Sequence, residues 1–127
     1  MIDHLGISVS DFAASKDFYL KALAPLGISL VMSISQADGA DRDHAGLGSE
    51  RKPLFWISQG AATGSIHLCL TAKTRADVDA FYKAAIAAGA RDNGGPGIRE
   101  HYHPNYYAAF VIDLNGVNLE AVCQTPA

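Results

Sequence analysis

The chain has 127 residues, of which 49% are hydrophobic and 18% are charged, and its formal net charge is −3. This length favours one domain, and the small negative charge gives no electrostatic basis for binding nucleic acid or an anionic membrane. No apolar run reaches the roughly 20 residues that span a bilayer, and no signal peptide is visible. Both cysteines lie in apolar segments, which is typical of free thiols in a reducing compartment, so we expect a cytoplasmic protein.

The first half of the chain predicts one strand, one helix and then further strands. Alternating apolar residues predict a half-buried strand over 2–10. A helix begins at Asp11, carries one apolar stripe and ends near Gly27, a suitable capping residue. The remaining predicted elements are strands at 28–35 and 53–59 and a Gly- and Asp-rich loop at 37–50, with a short strand at 45–47.

The second half repeats this order after a Gly-rich linker at 60–64. Residues 65–71 alternate again, and residues 74–77 have the spacing of a helix capping box before a second apolar helical stripe. Asn115-Gly116 is a strong signal for a hairpin between two strands. The other predicted elements are a weak strand at 90–91, a loop at 93–97 and strands at 106–112 and 117–123.

When the sequence is aligned with itself at an offset of 63 residues, the start of the chain aligns with its middle. His4 then falls on His67, and the Phe18-Tyr19 pair falls on another Phe-Tyr pair. We interpret the halves as a duplication of one βαβββ module, over about 1–60 and 64–124. The predicted fold is α+β, with both modules forming a curved mixed sheet around a cleft.

Three side chains are candidate metal ligands in that cleft. His4 and His67 occupy equivalent strand positions opposite the apolar residues, and Glu120 lies in an apolar strand, where a carboxylate needs a partner or a metal. Strand alternation places Cys69 and Asn118 on the same face. Two histidines and one glutamate suit a divalent metal with open coordination positions. The alternative is that both histidines are ordinary rim residues and that Glu120 faces solvent.

The segments DHLGISVSD, IHLCL and DLNGVNLEAV, in this order, resemble the vicinal oxygen chelate superfamily across essentially the whole chain. This family includes glyoxalase I, extradiol dioxygenases, fosfomycin-resistance thiol transferases and bleomycin-resistance proteins. The resemblance implies metal ligands at His4, His67 and Glu120. Glyoxalase I has a further carboxylate ligand, for which this chain offers no match: subtracting 63 from Glu120 gives Ile57, beside Trp56.

The three-ligand pattern is most similar to that of extradiol-type dioxygenases, with Fe(II) or Mn(II) favoured and Zn or Ni as alternatives. The resemblance implies three alternative functions: a glyoxalase or other lyase, a thiol transferase, or a non-catalytic binding protein of the bleomycin-resistance type. The expected partner is a small-molecule substrate. The resemblance also implies a homodimer, in which His4 of one chain could meet His67 and Glu120 of the other.

A run of His and Tyr residues before the penultimate strand supplies the candidate acid–base groups. These are His101, His103, Tyr106 and Tyr107, of which the two tyrosines must point to opposite faces if both lie in the strand. The alternative for each is packing at the rim. The candidate substrate-pocket residues are Trp56, Cys69, Arg99 and Asn118, although a solvated arginine is the simpler interpretation of Arg99.

Overall fold

The computed structural model describes residues 1 to 127 and consists of two modules in tandem. The first module contains β1 (Leu5–Val9), α1 (Phe12–Leu23), β2 (Ser29–Ile34), β3 (His44–Ser49) and β4 (Lys52–Gln59). The second contains β5 (His67–Thr71), α2 (Arg75–Ala87), β6 (Arg91–Asp92), β7 (Gly97–Ile98), β8 (Tyr107–Ile112) and β9 (Asn118–Cys123). The predicted α+β class with two βαβββ modules is confirmed, and β7 is one short strand more than the repeat requires.

Both helices begin at the polar residues that the sequence indicates. The Asp11 carboxylate accepts a hydrogen bond from the Ala14 backbone N–H at 3.1 Å, and the Thr74 hydroxyl accepts one from Asp77 at 3.1 Å. Gly27 adopts the left-handed conformation, with φ of 77°, at the end of a 3₁₀ turn that follows α1. Neither helix has the length and apolarity needed to cross a membrane.

The modules have the same strand order. The first sheet is ordered β1-β4-β3-β2 and the second β5-β9-β8-β6, with β7 also paired to β8. In each sheet the first strand of the module runs parallel to the last, whereas the other pairings are antiparallel. The strands thus form two separate mixed sheets of equivalent topology, which is the structural counterpart of the sequence repeat.

One hydrophobic core of 22 buried residues spans both modules. Each sheet turns alternate side chains toward the helices, such as Ile7 and Ile57 in the first module and Leu119 and Ala121 in the second. Helix α1 packs against α2, so the helical layers join the modules. We call the side of each sheet opposite its helix the outer face, and this side corresponds to the predicted cleft face.

Several boundaries differ from the sequence prediction because pairing with neighbouring strands sets them. Strand β1 begins at Leu5, where its pairing with β4 begins, so His4 lies just before it. Strand β3 is longer than the predicted 45–47 segment because it pairs on both sides. Its glycines permit close approach: a Cβ at Gly46 would lie 3.0 Å from the Trp56 ring, and one at Gly48 would lie 1.8 Å from the Lys52 carbonyl oxygen.

A buried polar cluster links α1 to the β8–β9 hairpin. The Tyr19 hydroxyl donates to one carboxylate oxygen of Asp113, and the other oxygen accepts from the backbone N–H groups of Asn115 at 2.7 Å and Val117 at 2.8 Å. The Asn115 amide also donates to the Ser15 hydroxyl at 2.9 Å. Asp113 is only 5% exposed, so its three donors replace water and fix one module against the other.

Candidate functional site

The outer face of the second module carries most of the candidate residues. Strands β5 and β9 run side by side, with His67 opposite Asn118 and Cys69 opposite Glu120. Their alternate residues enter the core, so these four side chains share the outer face, as the strand pattern predicts.

Glu120 is the central residue of this face. Its side chain is 1% exposed, and it accepts a hydrogen bond from His67 Nε2 on Oε1 at 2.7 Å. The Tyr106 hydroxyl donates to Oε2 at 2.5 Å. The predicted need for a partner at this buried carboxylate is therefore met within the chain by an imidazole and a phenol. The His67 side chain is 53% exposed, so one side of the cluster is open.

The surroundings of Glu120 keep two neighbouring groups protonated. Burial and then the hydrogen bond to Glu120 raise the pKa of the Tyr106 hydroxyl above its ordinary value. Partial burial, followed by the charge of the Glu120 carboxylate, raises the pKa of the Cys69 thiol to about 12. At neutral pH, Cys69 is consequently a thiol and a weak nucleophile.

An aromatic ring and a cation extend the face beyond His67. Phe110 pairs with Glu120 across the β8–β9 hairpin, and its ring centroid lies 6.2 Å from that of His67. The Arg99 guanidinium lies 5.3 Å from the Phe110 centroid. Arg99 donates to the carbonyl oxygens of Gly95, Gly97 and Ala108 at 2.8 to 3.2 Å, which holds the cation in place without a carboxylate partner.

The first module has different side chains at the equivalent positions. Gly6, which corresponds to Cys69, pairs with Trp56 rather than with Ile57. Trp56 is therefore the structural counterpart of Glu120, and the assignment of Ile57 is corrected. Ile57 is fully buried in the core, and the repeat spacing at this strand is one residue longer than at His4. The half-buried Trp56 lies over Gly46 on the outer face.

His4 lies apart from the His67–Glu120 pair. Its Nδ1 is 2.8 Å from Asp3 Oδ1, and Lys52 binds the other Asp3 oxygen at 2.7 Å. These two hydrogen bonds, that of His4 first, lower the pKa of Asp3 to about 2. Because His4 Nδ1 donates to the Asp3 carboxylate, the lone pair of His4 that could bind a metal would be on Nε2.

The other acid–base candidates occupy different surroundings. His101 and His103 lie in an exposed turn before β8, where the His101 ring contacts the Tyr102 ring at a tilt of 50° and His103 Nδ1 accepts from the Asn105 backbone N–H at 3.1 Å. Tyr107 donates to Asp79 at 2.6 Å on the helix side of the sheet. Tyr106 alone of the four contacts Glu120, and catalytic roles for all four remain predictions.

Comparison with known proteins gives a consistent family. The model of the glyoxalase/bleomycin resistance protein/dioxygenase superfamily matches residues 1–121. The chain belongs to this superfamily. Comparison with curated proteins gives no match.

Solved structures of superfamily proteins share the fold over the whole chain. A glyoxalase/bleomycin resistance protein from Albidiferax ferrireducens T118 is 26% identical, with a TM-score of 0.79, covering 98% of this chain and 99% of that one. The fosfomycin resistance protein FosX from Listeria monocytogenes, complexed with Mn(II) and sulfate, is 12% identical, with a TM-score of 0.70 and coverage of 98% and 93%. A glyoxalase I mutant from Zea mays is 17% identical, with a TM-score of 0.71, covering 99% of this chain and 45% of that one.

The His67–Glu120 pair offers donor atoms that suit a divalent metal. An imidazole nitrogen and a carboxylate oxygen 2.7 Å apart are suitable donors, and their metal would replace the proton between them. No three His, Cys, Asp or Glu side chains of one chain are arranged to hold a metal. His67 and Glu120 therefore fit as two ligands, and the chain places no third such side chain beside them.

Two residues at or near the candidate ligands were missed by the sequence analysis. Phe110 lies directly opposite Glu120. Counting outward from a two-residue Asn115-Gly116 turn would place Val111 there instead, because the observed pairing of Ile112 with Asn118 is offset from such a turn by one residue. Asp3 binds His4 and also Lys52, which is 49 positions away. No local pattern indicates that second contact.

Proposed function

We propose that this superfamily member is a metal-dependent enzyme that acts on a small oxygenated molecule. His67 and Glu120 of one copy and His4 of a second copy would be the metal ligands. The observation that carries the proposal is the buried Glu120 carboxylate, held by His67 at 2.7 Å on a face that has no other acidic side chain from β5, β8 or β9.

The first module supports the participation of a second copy. His4 is exposed, and Asp3 leaves its Nε2 available. The outer face of this module also carries apolar side chains, namely the half-buried Trp56 and, on the edge strand β2, Met32 and Ile34, which are exposed at 47% and 38%. Exposed apolar side chains of this kind are available to pack against another protein or a ligand. A homodimer that places this face against the second module of another chain would bring His4 toward His67.

The residues around His67 favour a planar substrate with oxygen donors. Phe110 offers an aromatic surface beside the His67 ring, and the fixed Arg99 cation would attract an anionic or partly ionised oxygen. A bound divalent cation would act as a Lewis acid for two substrate oxygens. Trp56 occupies the first-module position that corresponds to Glu120, so this chain offers no carboxylate there as a fourth ligand. Coordination positions on the metal would therefore be left for substrate. We therefore place extradiol-type cleavage with Fe(II) or Mn(II) first, before lyase or thiol-transfer chemistry.

The test begins with metal binding. Metal-free protein is titrated with Mn(II) and followed by electron paramagnetic resonance, with Glu120→Gln as the variant and Glu100→Gln, an exposed loop glutamate, as the matched control. We expect the native protein and the control to bind one Mn(II) per chain and Glu120→Gln to bind at least about 100-fold more weakly, because the ligand charge is lost.

Activity is then screened on protein loaded anaerobically with Fe(II) or Mn(II), with catechol first and thiol adducts second. Metal binding that Glu120→Gln does not weaken would contradict the assigned site. A native protein that binds none of Mn(II), Fe(II), Ni(II) and Zn(II) would instead favour the non-catalytic alternative, in which the aromatic faces bind a small molecule without chemistry.

A further inference from the structure

Both oxygens of the Glu120 carboxylate are occupied, and the two donors differ in kind. Oε1 accepts from the His67 imidazole at 2.7 Å and Oε2 from the Tyr106 hydroxyl at 2.5 Å. Because the side chain is 1% exposed, solvent does not compete for either oxygen. Hydrogen bonds to an ionised acceptor are short and strong, so the carboxylate is held in one orientation.

The bond on the His67 side is the one that a metal can replace. Nε2 is itself a metal donor once its proton leaves, and the ring is 53% exposed. Two donors that each lie about 2.1 Å from one metal are about 3 Å apart, close to the separation seen here. Entry of a cation between His67 and Oε1 therefore needs little movement of either side chain.

The hydrogen bond from Tyr106 to Oε2 is supported by contacts of Tyr106 with residues other than His67 and Glu120. The Tyr106 backbone N–H donates to the His103 carbonyl at 3.1 Å, and its carbonyl accepts from the Arg99 N–H at 2.8 Å. The ring packs edge-on against Tyr102, with centroids 5.1 Å apart. Nothing in this arrangement requires the hydroxyl to leave Oε2 when Oε1 is released.

We propose that Tyr106 is a positioning residue that reserves Oε2 of Glu120, so that a divalent cation takes this carboxylate through Oε1 alone. The inference rests on the proposed function and adds a limit on the coordination of that same site. A carboxylate that binds through one oxygen leaves one more coordination position than a chelating carboxylate. Tyr106 would thereby keep room on the cation for two oxygens of a small chelating substrate.

The test counts the water molecules bound to Mn(II) in the full-length protein by field-dependent water-proton relaxation. Native protein is compared with Tyr106→Phe and with Tyr82→Phe, a matched control whose hydroxyl donates to Asp92 at 2.9 Å away from the site. We expect Tyr106→Phe to lose one bound water, since the freed Oε2 joins Oε1 on the cation. Tyr82→Phe should retain the native number.

A second measurement does not depend on the folding of any variant. In native protein labelled with ¹³C at the glutamate side-chain carboxyl, infrared difference spectra with and without Mn(II) report the separation of the two carboxylate stretching bands. One-oxygen binding gives a wide separation and chelation a narrow one. A wide separation is expected, and a narrow one would overturn the inference.

The inference and the proposed function fail in distinguishable ways. Native protein that binds no Mn(II) contradicts both. Native protein that binds Mn(II), with an unchanged water number in Tyr106→Phe, contradicts the role of Tyr106 alone. Loss of Mn(II) from a folded Tyr106→Phe would also overturn it, because a freed carboxylate should gain a donor rather than lose one.

Discussion

The outer faces of the two modules share one backbone plan, and one cross-strand pair shows how their side chains differ. In the second module, Cys69 faces Glu120, and the buried carboxylate organises His67 and Tyr106 around it. In the first module the equivalent pair is Gly6 and Trp56, neither of which is an acid. Duplication thus supplied two scaffolds, and the side chains at this pair place a buried carboxylate in the second module and an indole ring at the same position in the first.

Breaking the link between the modules should have the largest effect on the protein. Asp113→Ala removes the acceptor of three hydrogen bonds, those of Tyr19 and Val117, which are buried, and that of Asn115, which is partly buried. We expect the free energy of unfolding to fall by about 3 kcal/mol or more, because the donors stay buried without partners. Urea denaturation measures this loss.

The control for that experiment is Asp17→Ala on the surface of α1. Asp17 forms an exposed ion pair with Lys21 at 2.8 Å, and such pairs contribute little. A loss for Asp113→Ala no larger than that for Asp17→Ala would contradict the role of the buried cluster.

Introducing an acidic side chain into the first module should increase the affinity for Mn(II). Trp56→Glu places a carboxylate at the counterpart of Glu120, beside Gly6, which has no side chain to obstruct it. If His4 of this module joins the metal site, the added charge should tighten Mn(II) binding about tenfold. Calorimetric titration against Trp56→Gln separates the charge from the loss of the indole, and equal affinities of the two variants would count against the prediction.

The smallest predicted effect is a change in the alkylation rate of Cys69. The elevated pKa of about 12 predicts slow alkylation by iodoacetamide at pH 8 in the metal-free protein. Glu120→Gln removes one of the causes, so the pKa should fall and the rate should rise several-fold. Peptide mapping distinguishes Cys69 from the buried Cys123, and an unchanged rate would show that the carboxylate does not act on the thiol.

Much of the fold could be predicted from the sequence because its signals are local. Asp11 and Thr74 cap the helices as their types indicate, and alternation assigns His67 and Glu120 to one face. Strand β3 was underestimated because its glycines fit close contacts with β4, which a single strand does not reveal.

The contacts within the candidate site were less predictable, because they also depend on how the strands pair. Alternation put Tyr106 and Tyr107 on opposite faces, yet only the folded chain assigns Tyr106 to Glu120 and Tyr107 to Asp79. The counterpart of Glu120 was displaced by one residue because the two modules differ in length between their paired strands. Register across a sheet is a tertiary property, and the repeat spacing approximates it only to the nearest residue.

The central claim is that one metal site combines His4 of one chain with His67 and Glu120 of another. The most direct test mixes His4→Ala chains with Glu120→Gln chains, isolates the doubly tagged heterodimer and measures bound Mn(II). Neither variant alone should hold Mn(II) tightly, whereas the heterodimer contains one site with all three native ligands and should bind one ion per pair. A heterodimer that binds no more Mn(II) than its parents, or a His4→Ala protein with native affinity, would contradict the account.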